Sequence, residues 1–93
     1  MIYVQLKFTG LVRSRLGLDS MEFEFEGSTL ADLLAAFFNE YDIKDLLIDD
    51  SGAILPYSRV VINGRFSYLV GDMDAPIYED DKIAFIRPYV VAF

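Results

Sequence analysis

Met21-Glu22-Phe23-Glu24-Phe25-Glu26-Gly27-Ser28-Thr29-Leu30-Ala31-Asp32-Leu33-Leu34 changes its hydrophobic period halfway along. Over residues 21–26 apolar and acidic residues alternate one for one, the period of a half-buried strand. Met21, Phe23 and Phe25 then face a core, and Glu22, Glu24 and Glu26 face water. Gly27-Ser28 ends the strand. Thr29, with Asp32 three residues later, has the form of a capping box in which Asp replaces the usual Glu or Gln. Beyond it Leu30, Leu33, Leu34, Phe37, Phe38 and Tyr41 recur at helical spacing and predict one helix over residues 30–40. A strand with one apolar face that leads into a helix with one apolar stripe predicts a sheet with that helix laid across it. The row of glutamates fits a guarded sheet edge and an ordinary solvated face equally well.

The flanking sequence extends this plan in both directions. In residues 2–9, Ile2, Val4, Leu6 and Phe8 fall on one face, and Tyr3, Gln5, Lys7 and Thr9 on the other, so a first strand precedes. Gly10, Gly17 and Asp19 mark residues 10–19 as the return loop. Downstream, residues 42–57 are irregular, with a short helical turn at Asp45-Leu46-Leu47-Ile48 and a turn at Asp49-Asp50-Ser51-Gly52. That acidic turn lacks the alternating ligands and terminal glutamate of a calcium loop and reads as solvated. Ser58 to Asn63 forms a third strand, Asn63-Gly64 a tight turn, and Arg65 to Leu69 a short returning strand. Gly71-Asp72 and Asp74-Ala75-Pro76 are turns, and Glu79-Asp80-Asp81 turns into a last strand over residues 82–87. The expected fold is α+β: a mixed sheet of four to five strands with one main helix across one face. Its first and last strands lie parallel at the centre, the ubiquitin-like β-grasp arrangement.

Composition bounds the function. A chain of 93 residues suits a single domain, residues 1–93, and 54% of it is hydrophobic, with 8 Phe and 6 Tyr. At this size folding buries roughly 60–65% of the unfolded surface, so the core has to be efficient. There is no cysteine, which excludes disulfides and thiolate chemistry, and no histidine, the commonest general base and metal ligand. The net charge of −7, from 15 acidic and 8 basic residues, opposes binding to nucleic acid or an anionic membrane. No run is long enough to span a membrane, and the N-terminus alternates as a strand without a signal peptide's features. A cytoplasmic location is expected, with no cofactor, no metal and no catalytic residue.

Short motifs along the whole chain resemble those of the MoaD/ThiS-type ubiquitin-like sulfur carriers. Lys7-Phe8-Thr9-Gly10 resembles their first-strand exit. Ser28-Thr29-Leu30-Ala31-Asp32-Leu33-Leu34 looks like their helix start, and Arg59-Val60-Val61-Ile62-Asn63-Gly64-Arg65 like their Val-Asn-Gly hairpin. Asp74-Ala75-Pro76-Ile77 followed by Glu79-Asp80-Asp81-Lys82-Ile83-Ala84-Phe85-Ile86 resembles their approach to the last strand, and Pro88 the proline at the base of their tail. Asp80 stands where a turn glycine is usual, a mild change because Asp tolerates left-handed geometry. Ala92-Phe93 stands where the family ends in Gly-Gly, the glycine whose carboxylate is adenylated and converted to a thiocarboxylate.

The resemblance implies docking through the open sheet face and a C-terminal tail, residues 88–93. On the face, strand alternation selects Tyr3 and Lys7 (with Gln5 between them), Arg59 and Val61, and Ala84 and Ile86. The tail is Pro88, Tyr89, Val90, Val91, Ala92 and Phe93, an apolar run suited to a partner groove. The expected function is a non-catalytic binding or regulatory subunit related to molybdopterin, tungstopterin or sulfur-transfer pathways. Its expected partner is a protein: a synthase large subunit, an adenylyltransferase or an oxidoreductase. A working sulfur carrier for molybdopterin or thiamine synthesis is the alternative, and a structural homo-oligomer a second one.

Overall fold

Alternation along the first strand builds the middle of a five-stranded sheet. Strand β1 (Ile2–Thr9) buries Val4, Leu6 and Phe8 and leaves Tyr3, Gln5 and Lys7 exposed. The computed structural model describes residues 1–89. The other strands are β2 (Ser20–Phe25), β3 (Arg59–Ile62), β4 (Arg65–Phe66) and β5 (Lys82–Arg87), in the spatial order β2-β1-β5-β3-β4. β1 and β5 pair in parallel and every other pair is antiparallel. β2 is an edge strand, and its Glu22 and Glu24 are exposed, as a guarded edge requires.

Helix α2 (Leu30–Glu40) crosses one face with Leu30, Leu33, Leu34 and Phe37 buried. Its predicted capping box is present. Asp32 Oδ2 accepts the Ser28 and Thr29 backbone N–H groups at 2.9 and 3.1 Å, and the Asp32 N–H donates to Thr29 Oγ1 at 3.2 Å. The ring of Phe37 occupies the centre of the core. It lies 5.8 Å from Phe8 of β1, 5.1 Å from Phe23 of β2 and 5.4 Å from Phe85 of β5, and it stacks on Tyr41 at 4.7 Å.

Two predicted elements differ. Residues 10–16, expected as loop, form helix α1 (Gly10–Leu16), which ends at a left-handed Gly17. Six residues between two glycines show no helical period. The helix exists because Val12 is fully buried and Arg15 bonds Asp45 Oδ1 at 2.5 Å, so tertiary burial decides where propensity is silent. The expected strand from Arg65 to Leu69 stops after Phe66, and Ser67–Leu69 turns as a 3-10 helix. Ser67 is buried with its Oγ 3.3 Å from Asp72 Oδ1, while Tyr68 and Leu69 are exposed, so no apolar alternation holds a longer strand.

The expected turn near Asp45–Ile48 is helix α3 (Lys44–Leu47). The Leu46 carbonyl, left without a partner inside so short a helix, accepts the Ser58 hydroxyl and, at 3.2 Å, Arg87 Nη1. Asn63 (φ 50°) and Gly64 (φ 85°) make the predicted tight turn, and Asp80 (φ 65°) adopts the left-handed conformation its position demands.

Phe37→Ala removes the ring shared by three strands and should cost roughly 3–5 kcal/mol, a large part of the about 5–15 kcal/mol typical of a domain. Urea unfolding followed by circular dichroism measures it, and a cost under about 1 kcal/mol would show that the core does not centre on this ring. A second test uses pH. The Ser28 and then the Thr29 backbone N–H groups hold the Asp32 carboxyl below its ordinary range. A carboxyl lowered in this way adds stability above its unfolded value of about 4 and loses it as pH falls through the lower folded value. Asp32→Ala should therefore melt below the parent at neutral pH, with the gap closing in acid. A gap that stays constant into acid would remove the carboxylate's charge from the account.

Candidate functional site

The sheet face opposite α2 carries the second set of strand side chains in register rows. Lys7 of β1 stands beside Ala84 of β5, Ala84 beside Val61 of β3, and Val61 beside Phe66 of β4. In the next row are Thr9, Ile86 and Arg59. Ala84, Val61 and Ile86 are half-buried, and Phe66 is 39% exposed, stacked on Tyr68 at 5.4 Å. The small Ala84 side chain on the central strand and the bare Gly64 leave a shallow depression of about 280 Å³, rimmed by Gln5, Lys7, Ser20 and Lys82. Arg59 stands at the margin, its Nη1 donating to the Pro56 and Ser58 carbonyls at 2.7 and 2.8 Å.

The base of the tail is held from below. β1 and β5 run parallel, so both end at the same side of the sheet, and Gly10 bridges to Arg87 there. A Cβ built on Gly10 would lie 1.8 Å from the Arg87 carbonyl oxygen, and the residue has φ +61°, so only glycine fits. Pro88 follows, exposed, and Tyr89 leans on α1 with its hydroxyl 2.5 Å from Ser14 Oγ. The Ser14 hydroxyl and then the Arg13 guanidinium hold the Tyr89 phenol below its usual range. Arg87 lies with its guanidinium carbon 5.6 Å from the Tyr57 ring centroid.

Among the described residues no group of three acidic side chains converges as a metal site would require. Asp49 Oδ1 is occupied by the Ser51 N–H and hydroxyl and the Ala53 N–H, which makes its acidic stretch a self-bonded turn. No helix of the described residues is long and apolar enough to cross a membrane.

Neither a family model nor a curated protein sequence matches the chain. Solved structures match it over nearly its full length. The Haloferax volcanii HVO 2177 protein does so with a TM-score of 0.81 at 26% identity, over 99% of this chain and 87% of its own. CysO, in the Amycolatopsis orientalis BexX/CysO complex, gives 0.78 at 16% identity, over 96% and 99%. The putative molybdopterin converting factor, subunit 1, from Pyrococcus furiosus gives 0.72 at 19%, over 95% and 99%. The chain has the ubiquitin-like β-grasp fold. Its likeness to the MoaD/ThiS-type carriers, read first from short motifs, is borne out in three dimensions.

On this ubiquitin-like scaffold the structure brings together Lys7, Val61, Ala84 and Ile86, with Arg59 at their margin. Tyr3 is set apart. β5 begins opposite Gln5, so Tyr3 lies beyond the end of that pairing, next to Glu24, whose carboxylate raises the Tyr3 phenol pKa chiefly by a hydrogen bond. Of the tail residues, Pro88 and Tyr89 lie at its base, whereas Val90, Val91, Ala92 and Phe93 lie outside the described residues. Phe66, Gly64 and Lys82 extend the site beyond the predicted set. Phe66 was within reach of the sequence, because a two-residue Asn63-Gly64 turn places it opposite Val61 on the same face.

Gly10→Ala and Gly17→Ala separate backbone contact from backbone strain. Both positions have positive φ, but a Cβ at Gly17 meets nothing within 4 Å. Gly17→Ala should cost about 1–2 kcal/mol and Gly10→Ala clearly more, as measured by denaturant unfolding. Equal costs would show that the close approach to Arg87 is not a constraint.

Proposed function

We propose that this chain is a cytoplasmic, non-catalytic binding or regulatory subunit that docks a protein partner through its open sheet face and tail. The observation that carries the reading is the partly apolar face of Ala84, Val61, Ile86 and Phe66 on β5, β3 and β4, uncovered among the described residues, with β5 leading into the tail. Exposed apolar area gathered on a rigid surface is what partner binding requires. The similarity to CysO, which was solved in complex with BexX, supports a protein as the partner. A synthase large subunit, an adenylyltransferase or an oxidoreductase of a molybdopterin, tungstopterin or sulfur-transfer pathway is the class proposed.

Capture from host lysate tests it, comparing the intact chain with a Val61→Glu/Ile86→Glu variant and a variant lacking residues 89–93, with bound proteins identified by mass spectrometry. A protein of that class held by the intact chain and lost with both variants is expected. Capture of the same proteins by all three would overturn the reading.

The similarity to the molybdopterin converting factor subunit favours a second reading, a thiocarboxylate carrier. Against it, the six glycines at positions 10, 17, 27, 52, 64 and 71 include no adjacent pair. Intact mass after incubation with ATP, a sulfur donor and the host's activating adenylyltransferase distinguishes the two: no thiocarboxylate is expected, and its detection would establish the carrier.

A further inference from the structure

Charge is unevenly distributed over this acidic chain. The open-face positions of β1, β5 and β3 carry Lys7, Lys82 and Arg59 and not one of the 15 acidic residues. The acids of this face, Glu22 and Glu24, stand on the β2 edge, opposite Gln5 and Tyr3. Lys7 pairs with Ala84 and Gln5 with Lys82, so the two lysines sit diagonally across adjacent strands. Diagonal neighbours lie roughly 7–8 Å apart, and like charges so placed repel. Neither ammonium has a carboxylate within ion-pair distance among the described residues, whereas Arg13 and Arg15 of α1 are paired with Asp19 and Asp45. The two lysines are thus like-charged neighbours without an ion pair, and Glu22 of β2 stands diagonally from Lys7 on its other side. Between them lies the apolar depression over Ala84.

We propose that the open face accepts an acidic protein surface, with one apolar side chain seated over Ala84 and carboxylates on either side of it meeting Lys7 and Lys82. This rests on the open face being the docking surface. The net charge of −7 does not oppose it, because the acids stand on the β2 edge, the helices and the loops and none at the open-face positions of β1, β3 and β5, and their repulsion is screened over about 8 Å at physiological salt. A nucleic acid fits poorly, since its continuous run of phosphates would meet the glutamate edge of β2 on one side of so small a cationic area. A protein knob ringed by acids matches the depression in size and the lysines in sign.

The test selects short peptides from a displayed random library on the intact chain, then synthesises the enriched sequences. Binding is measured by calorimetry and mapped by backbone NMR shifts. Enrichment of Asp and Glu around one large apolar residue is expected, with shifts at Lys7, Val61, Lys82 and Ala84. Affinity should fall about tenfold in Lys7→Glu/Lys82→Glu and fall with added salt. It should be unchanged in Lys44→Glu, a cation of α3 away from this face. Thermal melts confirm folding, and Lys7→Gln/Lys82→Gln, which relieves the mutual repulsion, keeps the test valid if the reversed variant does not fold. Peptides that map to this face without acidic enrichment, or that ignore both lysine variants, overturn the charge assignment and leave the docking face standing. Peptides that map elsewhere, such as the cavity lined by Ala35 and Phe38 of α2 and Lys44 of α3, or no enrichment at all, overturn both.

Discussion

The packing of Phe37 against Phe8, Phe23 and Phe85 is the contact on which the rest of the structure depends. One helical side chain touches three strands that are distant in sequence, so it fixes their order and the seat of α2 together. A domain this small has little buried surface in reserve, and aromatic rings supply the most apolar area for each residue ordered. Because α2 is seated on one face by this ring, the other face of the sheet is left, among the described residues, without a covering layer. The open face is therefore a consequence of the core.

A second constraint lies in the backbone. The parallel pairing of β1 and β5 brings the end of each to the same place, and the chain there must both start α1 and release the tail. Gly10 allows this by placing no side chain where the Arg87 carbonyl lies. Tyr89 then meets Ser14 on the same short helix. α1, which reads as a loop in the sequence, is thus the element against which Tyr89 rests after the last strand.

The long periodic segments were legible in the sequence. β1, α2 and β5 occupy the residues that alternation and helical spacing assign to them, Ile2–Thr9, Leu30–Glu40 and Lys82–Arg87. Lys7, Val61, Ala84 and Ile86 were legible as one face for the same reason, since strand alternation is strict. What escaped was decided by contacts between segments. α1 rests on the burial of Val12 and an ion pair to Asp45, neither of which leaves a local pattern. The separation of Tyr3 from the patch follows from the stagger of β5 against β1, which no single strand encodes. The short β4 follows from a buried Ser67, whose composition alone would place it at the surface.

Docking and carrier chemistry make different demands on this scaffold, and they fall on different residues. A carrier needs a slim tail end that approaches a reacting centre closely, which is a demand for glycine. A docking subunit needs a rigid face of defined shape and charge, and that demand is met in the body by strands held over a packed core. In this chain the glycine required by close approach stands at position 10, under the base of the tail, while residues 90–93 are Val-Val-Ala-Phe. The residues of the open face lie on the strands and those of the tail follow β5, so the two demands fall on separate segments of the chain. A ubiquitin-like fold offers a face on which a partner can sit and leaves open what passes between the two.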